Sequence, residues 1–149
     1  MKRIITGGLL FAIIFFTAAH ISVAQNNDPV DRFKEQVNFV VQKVKEAETP
    51  KKKRAFLNSS LNKFLTSFER VENMNVLSET DQAALNSLKN NITEKKNELN
   101  GLNGFNRIPD NQLNNFANFV QQDLEQADST VTLSVTVLLL IVIVIILLA

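Results

Sequence analysis

The sequence of 149 residues contains no cysteine, no tryptophan and no tyrosine, and it contains one histidine. The absence of cysteine excludes disulfide bonds, lipid attachment through a cysteine and thiolate metal sites. The one histidine, His20, lies in an N-terminal apolar stretch that the sequence predicts to be removed. The remaining chain therefore lacks the side chains for Ser–His or Cys–His catalysis and for imidazole ligation of zinc or haem. These absences predict a protein that is not an enzyme and has no cofactor or metal.

Glycine and proline are scarce as well, with four and three residues. No Gly-rich phosphate-binding loop or dinucleotide turn is present. Residues 25–149 hold 14 Lys and Arg against 15 Asp and Glu, a balance that gives no support for a nucleic-acid partner.

The N-terminus has the three-part organisation of a secretory signal peptide. Lys2 and Arg3 precede a long uncharged stretch, and Ser22 and Ala24 occupy the −3 and −1 positions of a cleavage site before Gln25. An uncleaved N-terminal anchor is the alternative interpretation. The pattern predicts a signal peptide over residues 1–24 and export of the segment that follows.

The C-terminal segment 129–149 is the longest apolar run that follows the predicted signal peptide. Within residues 131–149, 15 of 19 side chains are Leu, Ile or Val. As a helix these residues would extend about 28 Å, close to the roughly 30 Å of a bilayer core. The segment is therefore predicted to be a transmembrane helix. Two alternatives stay open, a sorting signal cut near Asp128 or Ser129, and β-structure that assembles into an oligomeric pore.

Residues 25–128 have the pattern of a helical domain. Each of the three prolines stands where a helix could begin, after Asp28, after Thr49 and before Asp110. Ser78, with Asp81 three places later, resembles a capping box and predicts a fourth start. Asparagine and glycine clusters at 73–75 and 100–104 predict helix ends.

Apolar residues recur at intervals of three and four in each of the four segments, which predicts four amphipathic helices. The third stripe has a gap where Lys95 and Lys96 fall. No strand pattern is visible in this region. We expect an all-α protein, a small antiparallel three- or four-helix bundle. The four stripes comprise Val30, Phe33, Val37, Val40, Val41, Val44 and Ala47; Phe56, Leu57, Leu61, Phe64, Leu65, Phe68 and Val71; Ala84, Leu85, Leu88, Ile92, Leu99 and Leu102; and Leu113, Phe116, Ala117, Val120, Leu124 and Ala127.

Two features outside the stripes are candidates for an interaction surface. The first is the basic run Lys51, Lys52, Lys53 and Arg54, which could contact anionic lipid or an acidic partner. Its plain alternative is the solvated first turn of a helix. The second is the pair Phe39 and Phe119, which fall off their stripes and are expected to be exposed to a partner or a bilayer.

Together these patterns predict a non-enzymatic, membrane-anchored, exported helical domain. It would be held in the cytoplasmic membrane by a single pass, with the domain on the periplasmic or extracellular side. The expected partners are the lipid bilayer, through residues 131–149, and a protein bound by the domain as an interaction, scaffold or envelope-associated module. Two alternatives are a bundle that binds an apolar ligand among its phenylalanines and a membrane-active oligomer.

Overall fold

The computed structural model describes residues 28–130 and 133–148, which form five α-helices and no strand. A short 3₁₀ turn, Asp110–Gln112, leads into the fourth helix. The helices are α1 (Pro29–Glu46), α2 (Pro50–Glu72), α3 (Glu79–Asn100), α4 (Leu113–Thr130) and α5 (Val135–Leu147). The prediction of an all-α bundle is confirmed for these residues.

The predicted caps begin the first three helices. Asp28 accepts a hydrogen bond from the backbone N–H of Val30 at 3.0 Å, and Thr49 accepts one from Lys52 at 3.2 Å. Ser78 accepts the N–H of Asp81 at 3.1 Å. Each bond satisfies a donor that the first helical turn leaves without a helical partner.

The asparagine and glycine clusters end α2 and α3, as predicted. Asn75, just past α2, has a positive φ of 53°. Gly101 closes α3 with a φ of 69°, and the N–H of Leu102 reaches back to the carbonyl of Asn97 at 2.9 Å. A left-handed residue after the last turn is a common helix stop, and glycine adopts it without a steric cost.

Helix α2 is central in the bundle. It packs against α1, α3, α4 and α5, while α1 also packs against α4 and α5. Three residues connect α1 to α2, so these two helices form an antiparallel hairpin. Helix α5 begins beside the N-terminus of α3 and reaches the N-terminal half of α2, so it runs antiparallel to α2.

One hydrophobic core joins all five helices, and its members in α1 to α4 come from the predicted stripes. Leu102 belongs to the predicted third stripe but not to the core, because α3 ends at Asn100 and this side chain is half exposed. The core also includes six residues that were not assigned to the domain from sequence, all in α5: Val137, Leu138, Ile141, Val142, Val144 and Ile145.

The C-terminal segment differs from the predicted spanning helix. Helix α5 has 13 residues, a length of about 20 Å, whereas the prediction was one helix over residues 131–149. Within the described part of the chain, no helix combines the length and apolar character needed to cross a bilayer. Residues 131, 132 and 149 and the predicted signal peptide, 1–24, lie outside the described residues.

Candidate functional site

Helix α5 lies in a groove formed by α1 and α2. Its inner residues are fully enclosed, with Ile141 at 0% and Val142 at 2% exposure. They meet the apolar stripes of α1 and α2, so the groove is lined with side chains of the same chemistry. Burial of a large aliphatic side chain contributes about 1.5–3 kcal/mol relative to its exposed state, so these contacts favour the docked position.

The outer face of α5 is almost as apolar as the inner one. Six of the helix's side chains are exposed, and five of them are aliphatic, with Ile143 at 43% and Leu147 at 76%, while the sixth is Thr136. The helix contains no charged residue. A helix that is apolar on every side is normally covered on every side, by protein or by lipid. The outer face of α5 consists of Val135, Thr136, Leu139, Ile143, Ile146 and Leu147.

A buried carboxylate holds the beginning of α5. Asp81 Oδ1 accepts the backbone N–H of Ser134 at 2.7 Å, and its Oδ2 accepts the hydroxyl of Ser78 at 2.7 Å. The hydrogen bond from the Ser134 N–H is the main cause that lowers the pKa of Asp81 below its ordinary value, and the hydrogen bond from the Ser78 hydroxyl is the second. Asp81 therefore links the start of α3 to the start of α5 in its ionised form.

A cleft of about 370 Å³ opens beside α5, where it meets α1 and α2. Phe39 of α1 and Phe56 of α2 line this cleft, and Ile145 lines it from α5. Phe64 also lines it and packs on Phe33, with ring centroids 5.9 Å apart. Phe39 was singled out from sequence, but nothing in the periodicity predicted the cleft itself.

Most side chains of the basic run at the start of α2 contact other residues of the protein. Lys52 pairs with Glu48 at 2.9 Å, and Lys53 donates to the side chain of Asn114 at 2.7 Å. Lys51 is exposed. The run therefore lies at a solvated helix start. Three of its four side chains each contact a different part of the protein.

Arg54 is the most enclosed member of the run. Its guanidinium donates to the backbone carbonyls of Leu99 and Ile108 and forms an ion pair with Asp110 at 2.7 Å. The guanidinium of Arg54 lowers the pKa of Asp110 below its usual range. Arg54 thereby connects α2 to the end of α3 and to the segment that precedes α4.

Phe119, the second off-stripe phenylalanine, lies on α4 and not at the cleft. It is 45% exposed, and Lys95 of α3 stands 4.3 Å from its ring centroid. Lys95 is buried and pairs with Asp123 at 3.0 Å and Glu98 at 3.1 Å. Burial disfavours the charged form of Lys95, but hydrogen bonds to Asp123 and Glu98 outweigh it and raise the pKa. The structure thus separates Phe39 and Phe119 into two surroundings.

Among the described residues, no three acidic, His or Cys side chains are grouped so that they could hold a metal ion. Comparison with protein-family models, curated proteins and solved structures found no match to this chain.

Proposed function

We propose that this protein is a non-enzymatic, exported helical module that associates with a membrane through its C-terminal segment. In this proposal the segment has two positions. In one, α5 is docked in the groove of α1 and α2. In the other, residues 131–149 enter the bilayer, and the domain of α1 to α4 remains at the membrane surface as an interaction or scaffold module.

The observation that carries this proposal is the apolar outer face of α5. If α5 were only a core helix of a protein in water, polar residues on the outward side would be expected. Instead Leu139, Ile143 and Ile146 point away from the core, and no charge interrupts the helix. Each apolar residue at the centre of a spanning helix favours insertion by about 0.3–0.6 kcal/mol.

The test compares two exposed apolar residues, each replaced by lysine. Ile143→Lys adds a charge to the outer face, where water solvates it while α5 is docked. In the bilayer the same charge costs roughly 2.5–3.5 kcal/mol. Val76→Lys, in the loop between α2 and α3 where Val76 is 58% exposed, is the matched control. Full-length wild type and V76K should float with liposomes and resist 1 M salt and alkaline washing, and I143K should not.

Circular dichroism and urea unfolding of I143K should match the wild type, which separates loss of insertion from loss of folding. Equal flotation of I143K and wild type would refute the proposed role of the tail. Export has its own test, because the N-terminal sequence of the native protein should begin at Gln25. A native chain beginning at Met1 would contradict the signal peptide.

A further inference from the structure

We propose that the cleft between α1, α2 and α5 binds a small single-chain amphiphile with a compact anionic headgroup. This site is separate from the outer face of α5, and its occupation does not require a membrane. Its volume, about 370 Å³, lies near the lower end of the roughly 300–1,000 Å³ that small-molecule sites occupy. The size favours a ligand with one short chain.

Five of the ten residues that line the cleft are apolar. Phe39, Val40, Phe56, Phe64 and Ile145 surround it, so three phenylalanine rings from two helices face one space. Ser59 and Ser60 of α2 also line the space, and their side chains are small. Protein interiors are otherwise packed as densely as organic crystals, so a gap of this size leaves apolar surface without contacts.

The polar groups at the cleft are two lysines, which only donate, and the neutral side chains of two serines and a glutamine, which can donate or accept. Lys63 lines it, and within residues 28–130 and 133–148 no carboxylate forms an ion pair with this lysine. Lys43 also lines it, but its ammonium is bound to Glu46 at 2.8 Å and stands 5.6 Å from the Phe39 ring centroid. Ser59 and Gln36 add a hydroxyl and an amide.

This combination selects an amphiphile over a purely apolar molecule. The apolar body would lie against the phenylalanines, and Lys63 would pair with the anion, supported by neutral donors. A cationic headgroup would meet the ammonium of Lys63, with no carboxylate of the described residues paired to it, and would bind more weakly. Because Ile145 belongs to α5, the site is complete only while α5 is docked.

The probe is decanoate, with decanol and decyltrimethylammonium as neutral and cationic counterparts, all below their aggregation limits. Binding to the full-length chain is measured by equilibrium dialysis. We expect one decanoate per chain, with decanol about tenfold weaker and the cation weaker again, in line with the loss of one charge-assisted hydrogen bond.

Two variants and one control locate the site. Lys63→Gln should lower the affinity for decanoate about tenfold and leave the affinity for decanol unchanged, so that the variant binds the two ligands about equally. Ser59→Trp should block both ligands, because Ser59 is exposed at the cleft and the indole would fill it without entering the core. Lys51→Gln removes an exposed lysine of the same helix outside the cleft and should change nothing.

Three outcomes would overturn the proposal. One is equal decanoate affinity of K63Q and wild type. Another is undiminished binding to S59W, which would indicate adsorption on the outer face of α5. The third is equal affinity for the anionic, neutral and cationic probes.

Discussion

Asp81 accepts the backbone N–H of Ser134 across 53 positions of sequence, and this bond of 2.7 Å joins the first turn of α3 to the residue that caps α5. Ser134 in turn accepts the N–H of Val137 with its hydroxyl. The start of α5 is therefore fixed by a polar contact, whereas the rest of the helix meets the described residues of α1 and α2 through apolar side chains.

Asp81→Asn tests this contact. The asparagine keeps the shape and one acceptor but loses the charge, so we expect a loss of about 1–2 kcal/mol at pH 7. Hydrogen exchange of α5 amides should accelerate in the variant more than exchange in α2. Asp31→Asn, at an exposed position in the first turn of α1, is the control and should remain within about 0.5 kcal/mol of the wild type.

The difference in stability between the wild type and D81N should also depend on pH. The folded protein lowers the pKa of Asp81, so its contribution is complete above the unfolded value of about 3.9. It is lost as the pH falls through the lower folded pKa. The stability difference between wild type and D81N, from urea unfolding at each pH, should therefore shrink below about pH 4. Contributions from Glu46, Glu72 and Asp110, whose pKa values are also lowered, cancel in this difference.

Lys95→Ala should destabilise the bundle by about 1–3 kcal/mol, because it removes a buried cation from two carboxylates and from the face of the Phe119 ring. Lys96→Ala, the next position on the same helix and more exposed, should cost less than about 0.5 kcal/mol. Urea unfolding measures both. Equal effects of the two substitutions would contradict the ion-pair network.

Gly101→Ala and Gly104→Ala form a matched pair at two left-handed positions. A methyl group at Gly101 would lie 2.8 Å from Cβ of Arg107 and 2.9 Å from its backbone nitrogen, whereas Gly104 faces open space. We expect about 1 kcal/mol for G104A from backbone strain alone, and about 2–3 kcal/mol for G101A, in which the strain and the close approach add. If thermal unfolding showed a smaller loss of stability for G101A than for G104A, the segment that contains Arg107 would have moved away from the added methyl group.

Arg54→Lys separates structure from charge in the basic run. The ammonium cannot reach the two carbonyls and the Asp110 carboxylate that the planar guanidinium joins, so we expect a loss of about 1–3 kcal/mol. Lys51→Arg, which also keeps the charge, should leave stability unchanged. If the run instead acted only through its charge, R54K would unfold at the same urea concentration as the wild type.

Sequence reasoning located α1 to α4, because their caps, stops and stripes are local signals that agree with one another. It failed to place α5 in the core for a physical reason. A helix that is apolar on all sides gives the same pattern whether lipid or a protein groove covers it, and the groove is formed by residues about a hundred positions earlier.

The candidate sites show the same limit. The adjacent Lys95 and Lys96 interrupt the third stripe together, but only the structure shows that Lys95 turns inward to Asp123. Phe39 could be recognised as lying off its stripe. Lys63 and Ser59 gave no signal, because their role at the cleft depends on how three helices meet.

The groove that holds α5 is built by the first two helices of the bundle, yet α5 is synthesised after all four of the others. Contacts between α1 and α5 close a loop of about a hundred residues, and the entropy lost in closing so long a loop slows their formation. Until they form, the growing chain exposes two apolar surfaces, the groove and the emerging α5. During this interval the groove could bind α5 of another copy, which would give a domain-swapped association. A chain that lacks residues 135–147 could not exchange α5 in this way.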